Sequence, residues 1–209
     1  MRGTRERILE TALSLFSERG YEAVSVGQLA DAVGIKAPSL YKHFASKQEI
    51  FDALLAWVSR QYDSQPMLLS DNRQKTQEEY ESFARSTPQE IAERLWEKIR
   101  QMTHHPVISR VRKLLSVEQF RSPLLGRQME KRQYRDIFEY HRQMIRYLIG
   151  CGILAEGDDE IMALQFMAPI SVEMQRVDRN PGVEEEAAGL IKRHVTQFFR
   201  IYGRQREEV

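Results

Sequence analysis

The chain holds a single cysteine, Cys151, among its 209 residues. No intrachain disulfide can form, and a zinc site built from cysteines alone is excluded. A reducing compartment fits that usage, and a cytoplasmic location is expected. Cys151 sits in a Gly-Cys-Gly step at the end of a helical pattern, where packing is its plain reading. Excess charge of either sign is also missing: 31 Lys and Arg face 30 Asp and Glu, a formal net charge of +1. A strongly basic nucleic-acid coat is thereby excluded, and any positive charge that matters must be local. No apolar run approaches the roughly 20 residues that cross a bilayer. The opening MRGTRERILE has no apolar segment of the signal-peptide kind, so no membrane partner is expected. Internal repeats and low-complexity tracts are absent, and past residue 63 strand signals are nearly so.

What the chain does have is helical periodicity throughout, and one stretch with sharper punctuation. In residues 25–47, SVGQLADAVGIKAPSLYKHFASK, Ser25 has the side chain of a helix N-cap. Val26, Leu29, Ala30 and Val33 follow at helical spacing. Gly34 stands where a helix ends in the left-handed region, and Ile35 returns to the core. Pro38 falls early in a second short helix, where its missing N–H costs nothing. Leu40 and Phe44 face inward, while Lys36, Ser39, Tyr41, Lys42 and His43 face out. Any two short helices packed across a glycine share the apolar spacing. The cap, turn glycine, early proline and donor-rich outer face together describe a helix-turn-helix with a recognition surface for duplex DNA.

The first fifty residues resemble the N-terminal domain of the tetracycline-repressor (TetR) family. The residues that carry the resemblance begin with Ile8, Leu9, Ala12, Leu15 and Phe16 on a first helix, then Gly20-Tyr21. They continue through Ser25, Leu29-Ala30, Gly34-Ile35, Ser39-Leu40-Tyr41, His43-Phe44 and Lys47. The resemblance implies an all-α protein: a three-helix DNA-binding head over residues 1–47, then a helical effector-binding and dimerisation domain over 48–209. It also implies a regulator, expected to be a repressor that a small-molecule effector releases from a palindromic operator. The DNA-facing residues it marks are Ser25, Lys36, Ala37, Pro38, Ser39, Tyr41, Lys42, His43 and Lys47. By reach and by the family's corresponding positions, Tyr41 and Lys47 are expected to hold phosphates, which fix register. Lys36, Ala37, Pro38, Ser39, Lys42 and His43 are expected to face base edges, which specify sequence. Gly27 departs from the pattern, because that helix often offers a longer side chain there.

Residues 1–47 carry seven Lys or Arg against five Asp or Glu, with Lys36, Lys42 and Lys47 gathered on or beside the reading face. After Lys47 the pattern runs straight into another helix, where Ile50, Phe51, Leu54, Leu55 and Val58 keep helical phase. Such a connection transmits a tilt that a Gly/Ser tether would absorb.

Beyond residue 63 the sequence predicts a loop over 64–75, then helices within 78–86, 88–103, 107–119, 124–149, 159–177 and 183–202. The breaks are His104-His105-Pro106, Ser122-Pro123, Gly150-Cys151-Gly152, an acidic turn at 155–160 and Asp178 to Gly182. One short recognition helix reads few base pairs, so a twofold partner is required. The last two helices are the expected homodimer surface, through Ile161, Leu164, Ala168, Ile170 and Val172 on one. On the other they are Leu190, Ile191, Val195, Phe198, Phe199 and Tyr202.

The middle of the chain is rich in Met and aromatic residues. Tyr134, Phe138, His141 and Ile145 share one helix face, and Trp96, Met102, Phe120, Met129, Phe166 and Met167 are candidates to join them around an effector. Plain core packing uses the same residues at the same spacing. Residues 106–146 hold ten Lys or Arg against four acidic residues, which reads as a solvated face or a site for an anionic ligand.

Two other functions are compatible with parts of the pattern. One is a DNA-binding adaptor governed by a protein partner with no small-molecule effector. The other, more remote, is a helical metal-dependent enzyme using His104, His105 or His141 with Glu139. No HExxH, phosphate-cradling glycine loop or nucleophile elbow accompanies these histidines. Catalytic residues, metal ligands and cofactors are therefore not expected.

Overall fold

The computed structural model describes residues 3–63, 73–120 and 123–204. Its helices, in chain order, are α1 (Thr4–Arg19), α2 (Val26–Val33), α3 (Ala37–Tyr41), α4 (Lys47–Asp63), α5 (Arg73–Ala84) and α6 (Pro88–His104). They continue with α7 (Ile108–Glu118), α8 (Pro123–Met129), a π-helical segment (Glu130–Arg135), α9 (Asp136–Gly150), α10 (Asp159–Arg179), a 3₁₀ turn (Pro181–Val183) and α11 (Glu184–Tyr202). Among the described residues the only extended pairing is an isolated bridge between Leu154 and Gly203. The expected all-α class is what is found.

The helices gather into two compact units that interleave along the chain. One comprises Met1–Leu68 with His105–Met129, and the other Leu69–His104 with Glu130–Val209. The expected boundary after residue 47 therefore does not coincide with a division between packed bodies. The physical reason lies in the first unit's core. Ile8, Leu9, Ala12 and Phe16 of α1 share it with Leu29, Leu40 and Phe44, but also with Ile50 and Leu54 of α4 and Val111 and Leu114 of α7. Three short helices enclose too little apolar area to stand alone. α4 and α7 supply the rest.

In the second unit, α6, α9, α10 and α11 surround Ile91, Ile99, Ile145, Leu148, Phe166, Ile191 and Val195. Local chemistry sets its helix starts. Thr87 and Glu90 form a reciprocal cap at α6: the Glu90 N–H donates to Thr87 Oγ1 (3.2 Å), and the Thr87 N–H to Glu90 Oε2 (2.8 Å). At α10, Asp158 Oδ1 accepts the Glu160 and Ile161 N–H groups at 3.0 and 3.2 Å.

The helix starting at α5 begins at Arg73, so residues 73–75 are helical where a loop was expected; the remainder of that loop lies outside the described residues. The long helix expected over 124–149 is present with a π-helical segment inside it. α11 turns Ile191, Val195, Phe198 and Phe199 into its own unit's core, and Ile170 of α10 is buried there too. Ile161, Leu164 and Val172 of α10 are about half exposed, as is Ile201 of α11. The exposed apolar stripe is thus mainly on α10, because α11 is consumed by packing against α6 and α10.

Candidate nucleic-acid interface

The reading head is assembled by short-range backbone chemistry. Ser25 and Gln28 cap α2 reciprocally. The Gln28 N–H donates to Ser25 Oγ at 3.2 Å, and the Ser25 N–H to Gln28 Oε1 at 2.8 Å. Ser25, expected on the DNA face, is exposed but has its hydroxyl oxygen committed to its own helix. Gly34 adopts φ 77° and ψ 35°, the left-handed region expected of it. The Ile35 N–H then donates back to the Ala30 carbonyl at 3.0 Å, which closes α2 and aims the chain into α3.

On α3, Pro38 occupies the first turn, and the Lys36 carbonyl accepts the Ser39 N–H at 2.8 Å. Leu40 is fully buried and Phe44 is 1% exposed, so the helix is pinned from beneath. Lys36, Pro38, Tyr41, Lys42 and His43 are exposed on its outer side, and Ser39 is half-buried among them. Ala37 is partly buried against the core rather than fully presented. Lys47 is also half-buried. Its ammonium lies 4.2 Å from the centroid of the Tyr21 ring and donates to the Glu22 carbonyl at 3.4 Å.

Two ammonium groups, a phenol, an imidazole and a hydroxyl on or immediately flanking one short helix, pinned by Leu40, form a donor-rich surface. The major groove, about 12 Å wide, admits a helix carrying such groups, and guanine O6 and N7 accept from them.

α1 braces this surface. Arg7 donates to the Val33 carbonyl at 2.7 Å, and the Arg5 guanidinium lies 4.7 Å from the Phe44 ring centroid. The Tyr21 ring packs on Phe16 and Phe51 at centroid distances of 5.3 and 4.6 Å, and its hydroxyl donates to Gln48 at 3.1 Å. Burial, then the nearby Glu22 carboxylate, pushes its phenol up. Sequence reasoning assigned no role to Arg5, Arg7 or Tyr21. The Gly20-Tyr21 step was visible, but no local pattern marks an aromatic as a hub.

The nine residues expected to line an effector site are not brought together as a set. Met129 is buried in the first unit's core, and Phe120, in the same unit, is 89% exposed. The other seven lie in the second unit. There His141 stacks near Phe166 (5.5 Å), and Trp96, Met102 and Phe138 pack partly buried against the core. Met167 is buried, and Tyr134 is about half exposed. Trp96 also lines an open cavity of about 450 Å³ beside Glu184 and Glu185.

The three histidines have structural partners. His105 Nδ1 accepts the Val107 and Ile108 N–H groups at 3.2 and 3.3 Å and so caps α7. His104 Nε2 stands 3.4 Å from Glu184. His141 Nδ1 donates to the Ile137 carbonyl at 2.7 Å, and burial pushes its imidazole down to about 4. Among the described residues no three His, Cys, Asp or Glu side chains are grouped to hold a metal ion, and no helix is long and apolar enough to cross a membrane. Within the basic segment, Arg135 reaches Glu130 at 2.8 Å, Arg142 reaches Asp159 and Glu160 at 2.7 and 2.8 Å, and Arg146 reaches Asp159 at 2.6 Å.

An all-helical protein with an amino-terminal helix-turn-helix head is the class that this fold and surface define. Residues 8–54 match the model of the bacterial regulatory proteins of the tetR family, so this amino-terminal segment is similar to that family's. The HTH-type transcriptional repressor KstR2 of Mycobacterium tuberculosis (strain ATCC 25618 / H37Rv) is 45% identical over 62 residues, which are 28% of this chain and 31% of that protein. The chain thus aligns with under a third of that relative's length.

Solved structures share the whole fold at low identity. SmeT, the repressor of the Stenotrophomonas maltophilia multidrug efflux pump SmeDEF, superposes with a TM-score of 0.60 at 19% identity, covering 98% of this chain and 92% of that one. A protein of Saccharomonospora viridis, proposed to be a transcriptional regulator and solved with choline, gives 0.62 at 19%, covering 96% and 98%.

Proposed function

We propose that the protein is a DNA-binding transcriptional regulator, a repressor that grips a palindromic operator as a homodimer and lets go when a small molecule binds its second unit. The observation that carries the reading is the seated α3 helix: Leu40 fully buried beneath it, with Lys36, Tyr41, Lys42 and His43 presented together outside. Phosphates are assigned to Tyr41 and Lys47, and base edges to Lys36, Ala37, Pro38, Ser39, Lys42 and His43. Repression is supported by the likeness of this domain to KstR2. Effector binding is supported by the shared fold of the choline-bound neighbour, and the aromatic residues around His141 and Phe166 are the assigned lining.

For pairing, the half-exposed stripe of Ile161, Leu164 and Val172 on α10 is the assigned surface. Two recognition helices enter successive major grooves only when they lie about 34–36 Å apart. A ligand favouring a splayed posture by several kcal/mol empties the operator.

The test is binding of the double variant Tyr41→Phe, Lys47→Ala to a duplex selected by the wild-type protein. Affinity is expected to fall for every sequence, with the salt slope reduced by about 1 for the lost lysine contact. Unchanged affinity overturns the phosphate assignment.

A further inference from the structure

Three polar residues are buried among the described side chains, and two of them, Arg112 and Glu118, lie on α7. Glu118 is 3% exposed, and its Oε1 accepts the backbone N–H of Tyr21 at 2.9 Å, across 97 positions of sequence. That N–H opens the turn between α1 and α2. The same residue's ring carries the Lys47 ammonium at 4.2 Å, and the next carbonyl, that of Glu22, accepts from it. A continuous path inside the first unit therefore runs from a carboxylate on α7, through one backbone amide and one ring, to the lysine assigned to a phosphate. The segment bearing α7 enters from the second unit's chain at His104 and returns to it at Glu130.

We infer that Glu118 is a positioning residue for DNA binding: from α7 it fixes the Tyr21 turn and thereby the place from which Lys47 meets the phosphate backbone. The inference rests on the DNA-binding reading above. A buried carboxylate is costly to retain without hydrogen-bond partners, and an apolar residue would serve α1–α7 packing alone. A carboxylate on this amide sets where the turn stands, and the turn sets the ring on which the ammonium rests. Lys47 thus has a defined starting position although it lies at the head of a helix.

The experiment uses the full chain and a duplex that the wild-type protein selects from random DNA. Affinity is measured against salt for wild type, Lys47→Ala, Glu118→Ala, Glu118→Gln and the double variant Glu118→Ala, Lys47→Ala. Lys47→Ala is expected to lower the salt slope by about 1. Glu118→Ala is expected to lower it by about the same amount, and the double variant no further. Glu118→Gln keeps an acceptor oxygen and is expected to bind within about twofold of wild type. If Glu118→Ala does not fold, Glu118→Asp, whose shorter arm draws the acceptor back, is read in its place with the same expectation. A wild-type slope in Glu118→Ala, or a double variant whose loss is the sum of the two singles, overturns the inference while leaving the DNA-binding reading intact. A wild-type protein that selects no duplex removes both.

Discussion

Arg142 Nε donates to Asp159 Oδ2 across 2.7 Å, and Arg146 reaches the same carboxylate oxygen from the next turn of α9. The pair joins the middle of α9 to the first turn of α10, where a carboxylate also complements the helix dipole. The Arg142 hydrogen bond, aided by the charges of both arginines, holds the Asp159 carboxyl below its usual range. A depressed folded value means the contribution is present above the unfolded carboxylate pKa, about 3.9, and is lost as the pH falls through the folded value. Asp159→Asn is expected to melt at a lower temperature at pH 7 and to lose less on acidification below pH 4. Thermal melts of both proteins across that window check it, and parallel curves would refute the assignment.

His141 gives a second pH signature, in a different window. Burial is the main cause of its fall to about 4, opposed by the hydrogen bond to the Ile137 carbonyl. The unfolded chain takes up a proton near 6.5, while the folded ring resists until about 4. Stability is therefore complete above pH 6.5 and erodes by up to roughly 1.4 kcal/mol per unit as the pH falls toward 4. His141→Phe keeps the aromatic contact with Phe166 and cannot be protonated. Denaturant titrations at pH 7, 5.5 and 4.5 are expected to show a shallower loss for the variant. An equal loss in both proteins would rule out the ring as the source.

Gly34 offers a test of the reading head with no packing change. A methyl group there would meet no atom within 4 Å, so Gly34→Ala acts through the backbone at φ +77° alone. The left-handed region costs a residue with a Cβ roughly 1–2 kcal/mol. Gly34→Asn is expected to cost less, since asparagine tolerates that region better. Equilibrium unfolding of the two variants measures the difference. A neutral Gly34→Ala would show that the turn relaxes out of this conformation.

The head was legible because its determinants are local. Ser25, Gly34, Pro38, Leu40 and Phe44 each declare a cap, a turn, a first turn or a buried face within a few residues of where it acts. The partners of those faces were not legible. Nothing around Val111 or Leu114 says that they close a core begun by Ile8 about a hundred residues earlier, so a boundary after Lys47 cut through a packed body. The same blindness grouped Phe120 and Met129 with His141 and Phe166, which lie in the other unit, since helical spacing gives a residue's face but not its neighbour. On α11, an apolar surface broader than one stripe suggested contact with both its own core and a partner. Ile191, Val195, Phe198 and Phe199 lie in that core, and the period of one helix cannot disclose which neighbours they meet there. The π-helical segment at Glu130–Arg135 carries no marker of its own.

The interleaving of the two units bears on how the protein is made. Residues of α1 reach their packing partners on α7 only after about a hundred further residues have been translated, roughly 5–20 s at ordinary ribosomal rates. Until then the apolar flank of α1 stands open on the nascent chain. Assembly of the reading head is thus timed by a helix encoded in the middle of the message, well after the head's own codons have been read.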